Sequence, residues 1–409
     1  MNIWLINHYA VPPKFYPLAR QTNFARYLMA MGHSVTIFAA STVHNSDQNL
    51  ITDGRPWREE TVDGVHYVYV KCMGYQGSGL KRVYNICEFA WKLPGVCRQF
   101  TRPDAIVATS MPPTSCAVGI HLARKYGCRG VAEIADLWPE SIIAYGIAGP
   151  RNPAVIALRW LEKWIYKKAD AVVFTMENAY QYIEDQNWQN QIPRDKIHYV
   201  NNGVELEQFE YNKEHCRVED ADLEDESHFN VVYAGSIRKV NNLGLLLDAA
   251  KKVTDQRIRF LVWGDGDELP ALRQRVTDEK IDNVIFKGKV TKAYVPYIVS
   301  RADLNIAHNT PSDLFRYGIS FNKLFDYLAA GKPILSDFPS GHNPAVARGA
   351  SIEVSEPTPE NIAKAIVGVA DMTPEEYARL CENARAAAEE YSFANLTKKL
   401  LDVIESVSK

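Results

Sequence analysis

The chain has 409 residues, of which 46% are hydrophobic and 23% charged, values typical of a globular protein and a length too great for one ordinary domain. The formal net charge of −3 argues against a nucleic-acid-binding protein, because such proteins usually carry a strong basic excess. No apolar run approaches the roughly 20 residues that cross a bilayer, and the start MNIWLINHYA lacks the basic region of a signal peptide.

From residue 1 to about residue 205, short apolar runs alternate with patterns of helical period, which predicts βαβ units around a parallel sheet. The predicted strands share this apolar character and are Ile3–Ile6, Ser34–Ala39, Val65–Val70, Ala105–Ala108, Gly130–Ile134 and Ala171–Thr175. The predicted helices are Leu18–Met31, Lys81–Phe100, Pro113–Tyr126, Pro153–Lys168 and Glu177–Asp185.

Near residue 205 the composition changes, and the acidic stretch Glu214–Ser227 is typical of a solvated linker or loop. The alternation then restarts, with strands predicted at Asn230–Ala234, Phe260–Trp263, Val284–Phe286, Ala302–Ile306 and Pro333–Leu335. The helices predicted here are Leu243–Val253, Glu268–Glu279, Ala293–Ser300, Ser320–Ala330 and Pro359–Ala370. A last helical pattern, within 392–409, predicts a C-terminal helix that packs back on the first domain.

The pattern as a whole predicts an α/β protein of two Rossmann-like, doubly wound domains, residues 1–205 and 206–391. Ligands of such sheets bind outside the carboxyl ends of the strands. We therefore expect the two domains to face each other across a cleft that holds the functional site.

The segment Ile319–Leu335 carries the strongest functional signal. Ser320 is the predicted N-cap of a helix that ends at Gly331. A helix N-terminus offers unpaired N–H groups and a positive dipole to a phosphate. Lys323 lies in the first turn and Asp326 one turn later, so the pattern predicts a cation beside a diphosphate and a carboxylate beside a ribose. The alternative is an ordinary helix with a solvated Lys–Asp pair.

Two further strand ends in the second half are candidate ligand loops. Gly235 follows a strand and allows the backbone to approach a ligand closely, while Arg238 and Lys239 could reach an anion. The alternative is a basic surface loop. Phe260–Glu268 runs into a Gly-x-Gly turn, but Leu269 fills the last position of a dinucleotide fingerprint, so a turn that lines the ligand site is favoured.

Polar residues also follow strands in the first half. Asp136 would face the site from the end of a strand, and Trp138 could stack on a sugar ring. The alternative is a buried Trp138, with Asp136 and Glu140 capping the next helix. His8 and Arg20, near the first strand–helix loop, could also reach the site, although a structural role is favoured for both.

The charge is unevenly distributed along the chain. Lys and Arg exceed Asp and Glu by four in residues 1–205, whereas the acidic residues are in excess by seven in the remainder. Gly74–Arg102 and Pro153–Lys168 mix basic and aromatic residues and could rest on an anionic membrane surface, the alternative being core helices with solvated basic faces. The seven cysteines are scattered without a metal-ligand spacing, so we expect reduced thiols and a cytoplasmic location.

Seven short motifs occur in a specific order along nearly the whole chain. They are Gly32-His33-Ser34-Val35, Asp136-Leu137-Trp138-Pro139-Glu140-Ser141, Asn202-Gly203-Val204-Glu205, Gly264-Asp265-Gly266, Arg301-Ala302-Asp303, Lys323-Leu324-Phe325-Asp326-Tyr327 and Ala330-Gly331-Lys332-Pro333. In this order and spacing they resemble the motifs of GT-B glycosyltransferases of glycosyltransferase family 4. The resemblance is greatest to the bacterial O-antigen and capsule enzymes, including the L-fucosamine transferases.

The resemblance implies that the second domain binds a nucleotide sugar and the first an acceptor, with transfer by retention and without a metal or further cofactor. It implies that Asp326 holds the donor ribose, and that the backbone around Gly288–Val290 meets the base. The residues implied for donor binding are Gly235, Ser236, Arg238, Lys239, Gly264, Gly288, Ser320, Phe321, Asn322, Lys323 and Asp326. Those implied for catalysis are Asp136, Arg238 and Lys323.

The sequence departs from the family pattern at several positions. Gly318 occupies the first position of the family's pair of glutamates. Ser236 and Asn241 stand where the common Arg and Lys of the second domain's first loop would be. Asp136 replaces a common histidine, and the glycine pair of the first loop is absent from Ala10–Pro17.

We therefore expect transfer of a hexose or N-acetylhexosamine from a nucleoside diphosphate sugar, foremost a UDP-sugar, to a growing cell-surface glycan. The family branch suggests a polyprenyl-diphosphate-linked acceptor and peripheral contact with the inner membrane surface. Asp220-Ala-Asp222 matches the Asp-x-Asp metal motif of some sugar transferases, but within a charge run we expect no metal there. The alternatives are a nucleotide-sugar epimerase of the same fold and a non-catalytic glycan-binding subunit. A dinucleotide-dependent oxidoreductase is disfavoured because the glycine fingerprint is incomplete.

Overall fold

The computed structural model describes residues 1–15, 19–44, 46–77 and 79–407. Leu18, where the first helix is predicted to begin, and the last two residues of the predicted segment 392–409 lie outside this range. The chain divides into two compact units, one of Met1–Asn201 together with the segment from Phe393, and one of Asn202–Ser392. The sequence places this division a few residues later, after residue 205.

The first unit contains an eight-stranded sheet. Its strands are β1 (Asn2–Ile6), β2 (Ser34–Ala40), β3 (Trp57–Val62), β4 (Val65–Val70), β5 (Ala105–Ser110), β6 (Arg129–Ile134), β7 (Ala171–Phe174) and β8 (Ile197–Tyr199). They lie in the order β3-β4-β2-β1-β5-β6-β7-β8, and only the edge strand β3 runs antiparallel to its neighbour. This antiparallel edge strand was not predicted, and Asp63 and Gly64, both with positive φ, turn the chain there into a hairpin.

Helices cover the faces of the first sheet. They are α1 (Arg20–Ala30), α2 (Leu80–Cys97), α3 (Pro113–Tyr126), α4 (Glu140–Ala144), α5 (Pro153–Lys168) and α6 (Tyr180–Asp185). Helix α3 packs between α2 and α5, so these three helices form one layer. Gly119 of α3 allows this layer to approach the sheet, because a Cβ there would lie 2.4 Å from the Cβ of Ala108 on β5.

The second unit contains a six-stranded sheet that is entirely parallel. Its strands are β9 (Phe229–Ala234), β10 (Ile258–Trp263), β11 (Val284–Gly288), β12 (Leu304–Ala307), β13 (Ile334–Ser336) and β14 (Ser351–Glu353). They lie in the order β11-β10-β9-β12-β13-β14. The order reverses between β9 and β12, and in doubly wound sheets the carboxyl ends at such a switch point form the ligand crevice.

The helices of the second unit follow the same βα alternation. They are α7 (Leu206–His215), α8 (Leu243–Lys252), α9 (Leu269–Asp278), α10 (Val295–Arg301), α11 (Asn322–Ala329), α12 (Pro344–Ala347), α13 (Pro359–Ala370) and α14 (Pro374–Glu390). The final helix, α15 (Phe393–Ser406), belongs to the first unit and packs against α1, where the rings of Phe24 and Phe393 meet edge to face at 5.6 Å. No helix in the described ranges is long and apolar enough to cross a membrane. The predicted α/β class with two doubly wound units is confirmed.

From Cys216 onward the acidic segment Glu214–Ser227 is a loop, one of the two predicted alternatives, but it is not a detached linker. Leu223 is buried, and Asp220 and Asp222 both form ion pairs with Lys287 of β11, at 2.7 and 2.5 Å. The segment is therefore fastened to its own unit by opposite charges. Both carboxylates of the Asp-x-Asp sequence are engaged in these pairs.

Candidate functional site

The switch point of the second sheet brings two loops together. The loop after β9 runs from Gly235 to Asn242, and the loop after β12 begins at His308. The backbone N–H of Thr310 donates to the carbonyl of Val240 at 3.1 Å, and His308 Nε2 bonds the carbonyl of Asn242 at 2.8 Å. These bonds hold two loops of the predicted site in one fixed arrangement.

Lys323 lies directly against this arrangement. Its Nζ donates to the carbonyl of His308 at 3.2 Å and to the hydroxyl of Tyr233 at 3.4 Å, and it lies 4.6 Å from the centre of the Tyr233 ring. Burial lowers the pKa of Lys323 to about 8, and the charge of nearby Asp337 opposes that shift. Among the described residues no carboxylate forms an ion pair with Lys323, so the structure holds a cation whose charge is left for another anion.

A buried His308–Asp337 pair lies beside Lys323, because the carbonyl of His308 accepts the Lys323 ammonium group. This pair was not predicted from the sequence. Both side chains are fully buried, and His308 Nδ1 bonds Asp337 Oδ2. The other oxygen, Oδ1 of Asp337, has no hydrogen-bond partner among the described residues. A signal existed in the sequence, because His308 and Asp337 each lie two residues beyond the end of a predicted strand, at the ligand-binding edge of the sheet.

The helix that carries Lys323 begins two residues later than predicted. Helix α11 starts at Asn322, its N-cap is Phe321, and no side chain caps it. The predicted cap, Ser320, instead accepts the backbone N–H of Asn202 at its hydroxyl, at 2.8 Å, and the Asn202 side-chain amide at its carbonyl, at 2.7 Å. The N-cap prediction is therefore wrong. In the first turn the N–H of Leu324 donates to the carbonyl of Phe321 at 3.0 Å, and no side chain caps the remaining N–H groups.

Asp326 lies one turn along α11 from Lys323. Its side chain is 18% exposed, and its nearest cation is Lys292, whose Nζ lies 3.9 Å from the carboxylate. Burial raises the pKa of Asp326, and Lys292 opposes that shift. The carboxylate is thus loosely paired, and its assignment to a ribose stays a prediction.

The glycines of the strand ends serve the packing of loops against one another. A Cβ on Gly264 would lie 1.8 Å from the carbonyl oxygen of Gly235, and one on Gly266 would lie 2.1 Å from that of Ile237. The N–H of Gly264 also donates to the carbonyl of Gly288 at 2.8 Å. The ends of β9, β10 and β11 therefore form one continuous backbone surface, which explains the Gly-x-Gly turn without a dinucleotide.

The side chains of Ser236, Arg238 and Lys239 are exposed on the loop after β9. Ser236 donates its hydroxyl to Asn241 Oδ1 at 2.8 Å. Arg238 and Lys239 make no side-chain hydrogen bond or ion pair with any described residue. The structure therefore places both cations on the predicted loop but does not bring either into contact with Lys323.

Asp136 belongs to the first unit and stands just beyond the carboxyl end of β6, where it is exposed. The N-cap of the next helix, α4, is Pro139, and no side chain caps that helix, so the capping alternative for Asp136 is wrong. Glu140 instead pairs with Arg159 of α5 at 2.9 Å. The catalytic assignment of Asp136 stays a prediction.

Arg20 has a structural role in the first unit. Its guanidinium pairs with buried Glu133 at 3.0 Å and donates to the carbonyls of Val200 and Asn201 at 2.7 and 2.6 Å. Glu133 also accepts the hydroxyl of Thr109 at 2.7 Å. This buried network fixes the ends of β5, β6 and β8, as the favoured interpretation of Arg20 expects.

Comparison with known proteins identifies the class of enzyme. The chain superposes on the sucrose-phosphate synthase of Thermosynechococcus elongatus with a TM-score of 0.72 at 16% identity, covering 99% of this chain and 98% of that one. Residues 19–203 match the family model of the glycosyl transferase 4-like domain, and residues 228–371 match that of glycosyl transferases group 1. The chain is a GT-B glycosyltransferase. The prediction of a glycosyltransferase of this fold is confirmed.

Two further similarities place the transferase among known proteins. It is 21% identical over 298 residues, 69% of this chain and 70% of the relative, to the putative colanic acid biosynthesis glycosyl transferase WcaI of Escherichia coli K12. It shares its fold with Anabaena Alr3699/HepE, solved in complex with UDP and glucose, at a TM-score of 0.64 and 13% identity over 99% of each chain.

Proposed function

We propose that this transferase moves a sugar from a nucleoside diphosphate sugar, foremost a UDP-sugar, to a growing bacterial cell-surface glycan, with retention and without a metal ion. The observation that carries the proposal is the position of Lys323. Its ammonium group lies over the Tyr233 ring in the first turn of α11, at the switch point of the second sheet, without a carboxylate partner among the described residues.

The chemistry of the leaving group explains why this arrangement favours transfer. When the bond between the sugar and the diphosphate breaks, negative charge develops on the diphosphate. Fixed cations and N–H donors aimed at that charge stabilise the transition state. Lys323 and the N–H groups at the start of α11 supply them, Arg238 adds an exposed cation from the loop after β9, and Asp326 holds the ribose.

The diphosphate takes the acceptor proton during attack on the same face of the sugar, which gives retention. Asp136 orients the acceptor hydroxyl or assists in its deprotonation. Its exposed position at the end of a strand supports this role, because strand ends are where doubly wound sheets bind ligands.

The names of similar proteins support the finer parts of the proposal. HepE was solved with UDP and glucose, which favours a UDP-sugar donor, and WcaI is assigned to colanic acid biosynthesis, which favours a glycan acceptor. The resemblance to L-fucosamine transferases favours a hexosamine-type sugar. A polyprenyl-diphosphate-linked acceptor fits the same group of enzymes.

Peripheral contact with an anionic membrane surface is the last part of the proposal. Leu80, Tyr84, Cys87 and Trp91 form an exposed stripe at helical spacing on α2, hereafter the α2 stripe, in which Leu80 is 87% and Trp91 83% exposed. The exposed Lys81 adjoins it. Apolar side chains beside cations are the combination that binds the interface of an anionic bilayer.

A turnover assay with Lys323→Ala tests the main proposal. The variant should lose about 10²-fold or more in kcat, because each donor to a developing anion is worth about that much. The matched control is Lys364→Ala, an exposed lysine of α13, which should retain full activity. Near-full activity of Lys323→Ala would show that the assignment is wrong.

The same assay separates the alternative functions. The enzyme is given a UDP-sugar, and then the corresponding GDP-sugar and dTDP-sugar, each with and without a glycan acceptor. All sugar products are identified. Transfer requires the acceptor, whereas epimerisation proceeds without it. Binding of UDP without turnover under any condition would favour a non-catalytic subunit.

A further inference from the structure

A polar and aromatic cluster lies in the first unit, at the carboxyl ends of β1, β2 and β4 and against α2. We name it the histidine–arginine cluster, and its members are His8, Tyr9, His44, Tyr75, Arg82 and Asn85. Three of its side chains, those of Tyr9, His44 and Arg82, are partly exposed, while the others are buried beneath them. The cluster is therefore open to solvent from one side.

Contacts between the members give the cluster a fixed shape. Nε and Nη2 of Arg82 donate to the hydroxyl of Tyr9 at 3.2 and 3.1 Å. The Tyr9 ring lies 4.6 Å from the ring of His44, whose Nδ1 bonds the hydroxyl of Tyr75 at 3.1 Å. Because the Tyr9 hydroxyl accepts from arginine, its own proton is left to donate outward.

The floor of the cluster is polar. His8 is completely buried between the rings of Tyr9 and Phe89, at 4.5 and 5.2 Å. Its polar neighbour is buried Asn85, whose hydrogen bonding raises the pKa of His8 against the larger lowering by burial. Neither the ring nitrogens of His8 nor Oδ1 of Asn85 has a partner of good hydrogen-bond geometry among the described residues, so this pairing is loose. The floor therefore supplies neutral polar groups beside Arg82.

The charge of the cluster comes from Arg82 alone. No carboxylate in the described ranges forms an ion pair with Arg82, and its Nη1 donates to no described residue. Burial lowers the pKa of His8 to about 3, and burial together with Arg82 lowers the pKa of His44 to about 4, so both imidazoles are neutral near pH 7. The cluster thus combines one uncompensated cation with neutral hydrogen-bonding groups.

We infer that the histidine–arginine cluster is an anion subsite of the first unit that binds a phosphate group of the acceptor substrate. The N–H groups that Arg82 does not donate to Tyr9, on Nη1 and the second on Nη2, and the proton of the Tyr9 hydroxyl come from different elements, which suits an anion with several oxygens. The inference rests on the proposed function in that it assigns this phosphate to the acceptor. The anion site itself depends only on contacts within the first unit.

Calorimetric titration with inorganic pyrophosphate tests the subsite, with UDP present at saturation so that the donor site is filled. The wild-type protein should bind pyrophosphate, and Arg82→Gln should weaken this binding about tenfold or more. The matched control is Arg98→Gln, an exposed arginine directly after the same helix, which should bind as the wild type does. Both variants should keep the wild-type affinity for UDP.

The possible outcomes distinguish this inference from the proposed function. Equal pyrophosphate affinity in the wild type and in Arg82→Gln, or tighter binding of glucuronate than of pyrophosphate, would overturn the phosphate subsite. Pyrophosphate binding that depends on Arg82 in a protein that fails to bind any nucleoside diphosphate would support the subsite and contradict the proposed donor.

A second measurement protects the test against a variant that does not fold. In the wild-type protein, the histidine side-chain NMR signals of His8 and His44 should shift during the pyrophosphate titration, while that of His228, in the second unit, should stay in place. Unchanged His8 and His44 signals at saturating pyrophosphate would overturn the inference without any substitution.

Discussion

At the scale of single residues, Lys323 is an amine held in a site that disfavours its charge. Burial lowers its pKa to about 8, while the charge of Asp337 opposes the shift. An anion that binds beside the amine restores the stabilisation of the charge that water would otherwise supply. If Lys323 meets the donor diphosphate as proposed, binding of the diphosphate and protonation of Lys323 are coupled.

This coupling predicts a pH dependence of UDP binding. UDP binds the protonated amine more tightly, so the pKa of Lys323 rises on binding. The affinity for UDP is therefore highest when the pH lies below about 8. The dissociation constant should then increase as pH rises through about 8, up to the pKa of the complex. Lys323→Arg should show no such increase, because arginine stays charged throughout this range.

Calorimetric titration between about pH 7 and pH 9.5 measures the effect. This pH range avoids the titration of the nucleotide's own terminal phosphate, which occurs near pH 6. If the affinity of the wild-type protein changes with pH no more than that of Lys323→Arg, Lys323 does not meet the diphosphate.

The charged residues of the candidate site could be predicted from the sequence, but the hydrogen-bond and ion-pair partners that position this site could not. Lys323 and Asp326 were predicted from a local helix pattern. The bond between Ser320 and Asn202, and the buried pairing of His308 with Asp337, join residues far apart in the chain and depend on the tertiary fold. A local pattern holds no information about such partners.

At the scale of secondary structure, several long helices were predicted well, whereas short or polar elements were missed, among them the long helix α14. The bounds of α3 and α5 are as predicted, because each begins at a proline and carries an apolar stripe. β3 is polar on its exposed face and was missed, although Asp63-Gly64 before an alternating run is a strong hairpin signal. The acidic segment is a loop, as one alternative predicts, but its ion pairs were not predicted because the partners, Lys287 and Arg259, lie on β11 and β10.

The glycine turn after β10 gives a prediction about stability at this scale. Gly266→Ala places a Cβ 2.1 Å from the backbone oxygen of Ile237, and neither loop can move without breaking the bonds between them. The free energy of unfolding should fall by about 1–3 kcal/mol, and UDP affinity should fall as well because the loop after β9 shifts.

Urea unfolding followed by circular dichroism measures the change. The control is Gly368→Ala within α13, where a Cβ meets no atom within 4 Å and alanine should stabilise the helix by about 0.5–1 kcal/mol. Equal stability of Gly266→Ala and the wild type would mean that the two loops do not pack as described.

At the scale of the whole molecule, the excess of basic residues and the exposed apolar side chains of α2 and α5 lie in the same part of the chain, residues 1–205. The basic excess lies in residues 1–205 and the acidic excess in the remainder. The same first part carries the α2 stripe, and Ile156 and Trp160 form a second exposed pair on α5, in the same helical layer. An anionic surface would therefore attract this layer and repel the acidic remainder of the chain.

This distribution predicts that the α2 stripe binds anionic lipid vesicles. Tyr84→Ser and Trp91→Ser should each weaken co-sedimentation with phosphatidylglycerol-containing vesicles, by about tenfold for the tryptophan, because each removes apolar surface that the bilayer interface would cover. Tyr211→Ser is the matched control, since Tyr211 of α7 in the second unit is 57% exposed and Tyr84 is 54% exposed.

High salt, or vesicles of phosphatidylcholine alone, should weaken wild-type binding, because the attraction is partly electrostatic. If Tyr211→Ser weakens binding as much as Tyr84→Ser does, the contact is not located on the α2 stripe. If the wild-type protein does not bind anionic vesicles at all, the transferase reaches its acceptor without resting on the membrane.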